Sequence, residues 1–186
     1  KKLKIGFVSG DFRQHPVGFF LLDILKNLKN ENLELIAYSN SKKKDDLSIK
    51  LKSNFSDWQE IERQDDLKTI NQIRKDGIHI LFDLSGHTAK NRLPIFINKP
   101  APIQVSWAGY NGSTGIPEID YLIGDPIVTP ASENNYYTEK IFPLPNIWVC
   151  FSPPNFEVKL DELPVIKNRY ITFGCFNNLS KINNKV

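Results

Sequence analysis

Apolar residues along this 186-residue chain fall into two rhythms. One consists of short, nearly continuous runs that end in small residues: "LKIGFVS" (3–9), "LELIAYS" (33–39), "IHILFDLSG" (78–86), "APIQVSWAGY" (101–110) and "IDYLIGD" (119–125). Runs of that length and composition predict buried strands. The other rhythm has a helical period. Val17, Phe20, Leu21, Ile24, Leu25 and Leu28 fall on one face, and Pro16 suits the first turn, where its missing N–H costs nothing. A polar helix is expected near 44–54, a short strand at "DWQEI" (57–61), and a helix over "DDLKTINQIRKDG" (65–77) closed by Gly77. "KNRLPIFINK" (90–99) reads as a helix that Pro94 bends or restarts. Strands and helices that alternate every roughly 20–30 residues predict an α/β fold, a Rossmann-like parallel sheet with flanking helices.

The pattern changes after Asp125. Prolines at 126, 130, 143, 145, 153, 154 and 164 interrupt every period, so 126–168 reads as a connecting segment closing a lobe of residues 1–168. "RYITFGCFNNLSKIN" (169–183) then offers a new apolar strand and a helix start, so that 169–186 would open a second domain. The chain begins at Lys1 and holds no methionine, the mark of a piece of a longer polypeptide.

Charge removes some classes of partner. The net charge of +3 comes from lysines dispersed among acids, as in "SKKKDDLSIKLK". Without a basic stripe interleaved with aromatics, nucleic acid is not an expected partner. No apolar run is long enough for a bilayer, so none is expected to be a membrane segment. Cys150 and Cys175 lack metal-ligand spacing and are expected to be reduced, buried thiols of a cytoplasmic protein.

Candidate chemistry collects where the strands end. The first run gives Ser9-Gly10-Asp11, with His15 and Pro16 just beyond; the 78–86 run gives Ser85-Gly86-His87; the 101–110 run gives Trp107-Ala108-Gly109. In a parallel sheet the carboxyl ends share one edge, and ligands sit in the crevice there. Asp11, His15, His87 and the Gly109 backbone should therefore meet on one rim, suited to a phosphorylated or sugar ligand. Each residue also has a plainer reading. Asp11 could cap the following helix, His15 could be a satisfied turn histidine, and His79 a structural residue within its strand. Gly86 and Gly109 could serve turns alone, and Trp58, Trp107 and Trp148 could be core aromatics. The chain has no G-x-G-x-x-G after the first strand, no G-x-x-x-x-G-K-[ST], no Asp-x-Asp and no G-x-S-x-G. Dinucleotide, P-loop, metal-anchored and serine-hydrolase chemistries are therefore not expected.

Four stretches, "IGFVSGDFRQHPVGFF", "DGIHILFDLSGHTAKNRLPIF", "KPAPIQVSWAGYNGSTGIPEIDYLIGD" and "ITFGCFNNLSKIN", run in order over nearly the whole chain. Together they closely resemble the catalytic region of the protein O-GlcNAc transferase and SPINDLY O-fucosyltransferase family. The resemblance implies the N-terminal lobe of a GT-B glycosyltransferase, followed by the start of the C-terminal nucleotide-binding lobe. It implies inverting transfer of a sugar from UDP-GlcNAc or GDP-fucose to Ser or Thr hydroxyls of a protein, with neither metal nor cofactor. It places Asp11 and His15 in the active-site turn, Pro16 and Val17 against the sugar, and the Ala108–Gly109 backbone beside it. It carries Asn178 and Lys181 to the diphosphate. Departures from the family pattern are Val17 for a frequent threonine, Ala108 for a larger aliphatic residue, and Ser180 for a frequent tyrosine. The rest of the C-terminal lobe and an upstream helical-repeat region would belong to the same polypeptide, and this piece by itself is expected to be inactive. The alternative is a non-catalytic ligand-binding or scaffold module derived from the same fold.

Each assigned role has a physical basis. Breaking the bond between the anomeric carbon and the diphosphate builds negative charge on the leaving group, which a cation such as Lys181 stabilises in a low-dielectric cleft. His15 could hydrogen-bond the acceptor hydroxyl or the sugar, and Asp11 could orient it or relay a proton.

Overall fold

The computed structural model describes residues 2–28, 32–152, 157 and 159–176. They belong to two compact units, Lys1–Ser152 and Pro153–Val186.

In the first unit, β1 (Leu3–Ser9), β2 (Leu33–Ser39), β3 (Asp57–Glu60), β4 (Ile80–Asp83), β5 (Ile103–Ser106), β6 (Tyr121–Gly124) and β7 (Lys140–Pro143) form one sheet in the order β3-β2-β1-β4-β5-β6-β7. Every pairing is parallel. Helices α1 (Pro16–Asn27) and α2 (Asp46–Lys52) fall in the connections from β1 to β2 and from β2 to β3. Then α3 (Asp66–Asp76) carries the chain back past β1 to β4, and α4 (Leu93–Ile97) leads on to β5. The strand order thus reverses between β1 and β4, the switch point where doubly wound sheets bind ligands.

Register explains the apolar runs. Phe7 lies opposite Ala37 on one side and Phe82 on the other, so Phe7, Ala37 and Phe82 share a face. Phe7 stacks on Phe82 with ring centroids 5.1 Å apart. That face packs with Val17, Leu21 and Leu25 of α1 and Leu47 and Leu51 of α2. Burial of each of those α1 side chains contributes about 1.5–3 kcal/mol. The other face carries Val8, Ile36, Tyr38 and Leu81 against Ile70 and Ile73 of α3 and Ile95 and Phe96 of α4. Strands sandwiched on both sides need apolar residues at every position, hence runs rather than alternation. Over β4–β7 the first face bears Phe82, Ile103, Tyr121, Ile123 and Phe142 without a covering helix among the described residues.

Helix ends follow local chemistry. Asp45 and Ser48 form a reciprocal capping box on α2, and Asp65 accepts from Lys68 N at the start of α3. Gly77 closes α3 in the left-handed conformation, φ 67°, as its position predicts. Pro94 neither bends nor restarts a helix; it sits in the first turn of the short α4.

Several expectations need correction. β4 is shorter than the 78–86 run because Asp83 draws the following amides into a turn. β7 and a 3-10 helix (Ala131–Tyr136) lie within the stretch expected to be irregular. β7 is an edge strand, and its Pro143 sits at the strand end, so the ladder loses little. Residues 171–176, expected as a strand, have no regular structure, while α5 (Pro164–Asn168) precedes them. A strand needs a neighbouring strand to hydrogen-bond, and the described residues of the second unit include none. Cys150 and Cys175 are exposed rather than buried. They follow β7, outside both core clusters. His79 is structural as read: its Nδ1 accepts from Lys4 N at 2.9 Å. No helix among the described residues is long and apolar enough to cross a membrane.

Candidate functional site at the carboxyl edge of the sheet

After β1 the chain turns through residues 10–15. Asp11 N donates to Ser9 Oγ at 2.9 Å, and Arg13 N donates to Asp11 O at 2.8 Å. The Arg13 guanidinium donates to Asp11 Oδ1 at 2.6 Å, and Gln14 N donates to Asp45 Oδ2 at 2.8 Å. Helix α1 backs closely onto this turn: a Cβ on Gly18 would lie 2.3 Å from the Arg13 carbonyl oxygen. His15, not Asp11, caps α1, its Nδ1 accepting from Val17 N at 3.3 Å. Asp11 is instead buried beneath the turn, paired with Arg13. Its second oxygen, Oδ2, stands 3.8 Å from His15 Nδ1.

Two consequences follow for His15. Because Nδ1 accepts an N–H, the proton of the neutral ring belongs on Nε2. Burial pushes its pKa below the ordinary histidine value; Asp11 opposes that shift and Arg13 reinforces it. The ring therefore offers Nε2–H as a donor near neutral pH.

At the tip of β4, Asp83 is fully buried and accepts from Ser85 N at 3.2 Å and Gly86 N at 2.7 Å. Burial pushes its pKa up to about 6, against the pull of those two amides. Gly86 has φ 50°, and a Cβ there would lie 2.4 Å from Tyr110 Cβ, so glycine is required on both grounds. His87 Nε2 lies 3.0 Å from Thr114 O, a pure acceptor, so Nε2 donates. Its ring meets Tyr110 edge-on at 5.6 Å. Thr114 is itself anchored by the buried Glu139, which accepts from Thr114 N at 2.7 Å, from Thr114 Oγ1, and from Ser113 Oγ at 2.8 Å.

The tip of β5 is a tight turn. Gly109 N donates to Trp107 O at 2.9 Å across Ala108, whose φ is 67°. That is a γ-turn with its centre in the left-handed region, strained for a residue with a side chain. The turn lies on β4 main chain: a Cβ on Gly109 would come 2.0 Å from Leu84 O.

The structure therefore brings the three tips onto one edge, on adjacent strands in the order β1-β4-β5. Asp11, His15 and Pro16 come from the first, His87 from the second, and Ala108 and Gly109 from the third. Val17 and Ala108 are buried in one core cluster, so a ligand on this edge would meet main chain there rather than their side chains. Asn178, Ser180 and Lys181 lie outside the described residues. Three contributors went unrecognised in the sequence. Arg13 had a signal in its spacing of two from Asp11 within a turn, and Asp83 in the Asp-Leu-Ser-Gly order of an Asx turn. Glu139 had none, since it acts on residues 25 positions away. A small cleft of about 60 Å³ lies one strand over, lined by Ser39, Lys44, Ser48 and Trp58.

Comparison with known proteins places the chain in a family. Residues 1–182 match the model of Glycosyl transferase family 41. The chain belongs to that family. It is 37% identical over its whole length to a rice protein named probable UDP-N-acetylglucosamine--peptide N-acetylglucosaminyltransferase SPINDLY, of which it covers 20%. It is 32% identical, over 92% of its length, to the UDP-N-acetylglucosamine--peptide N-acetylglucosaminyltransferase of Caenorhabditis elegans, of which it covers 15%. Among solved structures, a mutant of the Thermobaculum terrenum O-GlcNAc transferase superposes with a TM-score of 0.80 at 36% identity, over 83% of this chain and 30% of that one. The fold expected from the sequence, a Rossmann-like parallel sheet with flanking helices as in the N-terminal lobe of a GT-B glycosyltransferase, is thereby shown. The chain spans about a fifth of the length of the curated relatives it matches.

Proposed function

We propose that this region is the sugar-facing lobe of a protein O-glycosyltransferase, and that the full-length protein moves a sugar from a nucleotide sugar to Ser or Thr hydroxyls. The observation that carries the reading is the meeting of the β1, β4 and β5 tips at the switch point. A buried carboxylate, two oriented imidazoles and a glycine-backed turn stand together there. Family membership supports it, and the names of the relatives make UDP-GlcNAc the first donor to test and GDP-fucose the second.

In the proposed reaction the acceptor oxygen bonds to the anomeric carbon on the face opposite the diphosphate, the carbon–diphosphate bond breaks with inversion, and the hydroxyl proton passes to the departing nucleoside diphosphate or to water. His15, through Nε2–H, donates to an oxygen of the sugar or acceptor. Asp11 fixes the turn, and Pro16 and the Ala108–Gly109 main chain wall the sugar. His87 borders the same space. Lys181 and Asn178 meet the charge that builds on the diphosphate oxygens, so the step needs no metal. Residues 169–186 would open the second lobe, which would complete the nucleotide site.

The test is direct. The full-length protein is incubated with each donor and a Ser/Thr peptide library, and the products are read by mass spectrometry. Peptide gaining one sugar mass supports the reading, and consumption of neither donor overturns it. Lys181→Ala should lower kcat by about 100-fold or more. Unchanged transfer in that variant would remove Lys181 from the chemistry.

A further inference from the structure

We infer that Arg13 is a positioning residue of the proposed transfer site: by holding Asp11, it keeps the His15 imidazole on the N-terminus of α1 with its proton on Nε2. The inference rests on the transferase reading for its kinetic consequence, but not for its structural one.

His15 has two partners competing for one nitrogen. Val17 N–H needs Nδ1 as an acceptor, 3.3 Å away. Asp11 Oδ2, 3.8 Å from the same atom, would take Nδ1 as a donor. A neutral ring with its proton on Nε2 satisfies the first arrangement, and a ring with a proton on Nδ1, whether the other tautomer or the imidazolium, satisfies the second, so the two exclude each other. Burial of the ring favours the neutral form, and the other end of the carboxylate adds to that preference. Arg13 donates to Asp11 Oδ1 at 2.6 Å, so the buried charge already has a counter-charge and does not need the imidazolium.

The arginine cannot easily drift from this task. Its own N–H is tied to Asp11 O, its carbonyl is backed by Gly18, and the next amide is tied to Asp45. Its Nε is buried with no hydrogen-bond partner among the described residues. The charged groups around the ring are Asp11 and Arg13 from its own turn, with Asp45 at the start of α2 reaching the turn through Gln14. On the β1 side, Lys90 lies against Gly10. Asp11 favours the imidazolium and Arg13 disfavours it. Removing Arg13 therefore leaves Asp11 to pull the ring off the helix and into the charged form.

The experiment uses full-length protein labelled with ¹³C and ¹⁵N at histidine, with the His15 signal assigned by its absence from His15→Asn. Wild type should show the neutral Nε2–H tautomer at pH 7. In Arg13→Met the ring should titrate at higher pH than in wild type. The acidic limb of the kcat/KM profile should move up with it, and Arg13→Lys, which restores charge without the fork, should recover part of the shift. A His15 titration and tautomer unchanged in Arg13→Met, or a rate lowered by the same factor at every pH, overturns the inference. If the wild type consumes no nucleotide sugar, the transferase reading fails while the imidazole titration still decides the role of Arg13. Should Arg13→Met not fold, Arg13→Gln is judged by the same criteria.

Discussion

Residues 108 and 109 are neighbours that should respond to substitution very unequally. A methyl on Gly109 would sit 2.0 Å from Leu84 O, 2.6 Å from Leu84 C and 2.8 Å from Ser85 Cα. All three obstacles are main chain, so no side chain can rotate aside. The β4 tip is also pinned by Trp107 N donating to Asp83 O at 2.9 Å. Relief requires parting the two tips by about an ångström or more. Overpacking costs about 1–3 kcal/mol, and a backbone obstacle places Gly109→Ala at the upper end, about 3 kcal/mol. For a unit of this size that lowers Tm by about 6–12 °C. Ala108→Gly removes a left-handed strain of roughly 1–2 kcal/mol. It gives up a buried methyl worth about 0.8 kcal/mol and adds roughly 0.5–1 kcal/mol of chain entropy to the unfolded state. The result should stay within about 1 kcal/mol of wild type. Thermal melts of the full-length protein, with hydrogen-exchange mass spectrometry on peptides spanning 80–86 and 103–110, read both variants. If Gly109→Ala melts and exchanges like wild type, the β4 and β5 tips are not in contact and the proposed crevice has the wrong shape.

Two further outcomes separate structure from chemistry at the same edge. His15→Asn retains a good helix cap, so stability should change by less than about 0.5 kcal/mol while transfer falls about 100-fold or more; paired melts and initial rates check this, and a matching loss in both would make His15 a cap and nothing else. Asp83 has its folded pKa raised to about 6, so between about pH 4 and 6 the native state holds more protons than the unfolded chain and this group's contribution to stability declines as pH rises through that window. Asp83→Asn should therefore flatten that part of the stability–pH curve by a few kcal/mol, measured by denaturant unfolding across pH; an unaltered curve would mean the carboxyl is already ionised.

How much of this was legible in the sequence depends on the range of the interaction that decides each feature. β1, α1, β2 and α3 could be read because their periods, Pro16 and Gly77 act within a few residues. The meeting of Asp11, His87 and Gly109 on one edge followed from parallel topology alone. Capping of α1 by Asp11 is one of the readings the sequence leaves open, and only the turn geometry, with Arg13 drawing Asp11 under the chain, gives the role to His15. β7 was hidden among prolines because an edge strand tolerates them. The exposure of Cys150 was not legible because the absence of metal-ligand spacing says nothing about burial, and the chain after β7 lies outside both core clusters.

The place of β1 in the sheet also bears on how this polypeptide is made. It is a central strand, yet the ribosome delivers it before the other strands of its sheet, and its partner across the seam arrives some 75 residues later, since Ile5 pairs with Ile80. At 5–20 residues per second that is a wait of roughly 4–15 s with one long apolar edge unpaired. Nascent chains stalled before residue 80 should accordingly be the ones that chaperones hold and proteases cut, and synonymous codons that slow translation there would lengthen the exposure without altering a single side chain.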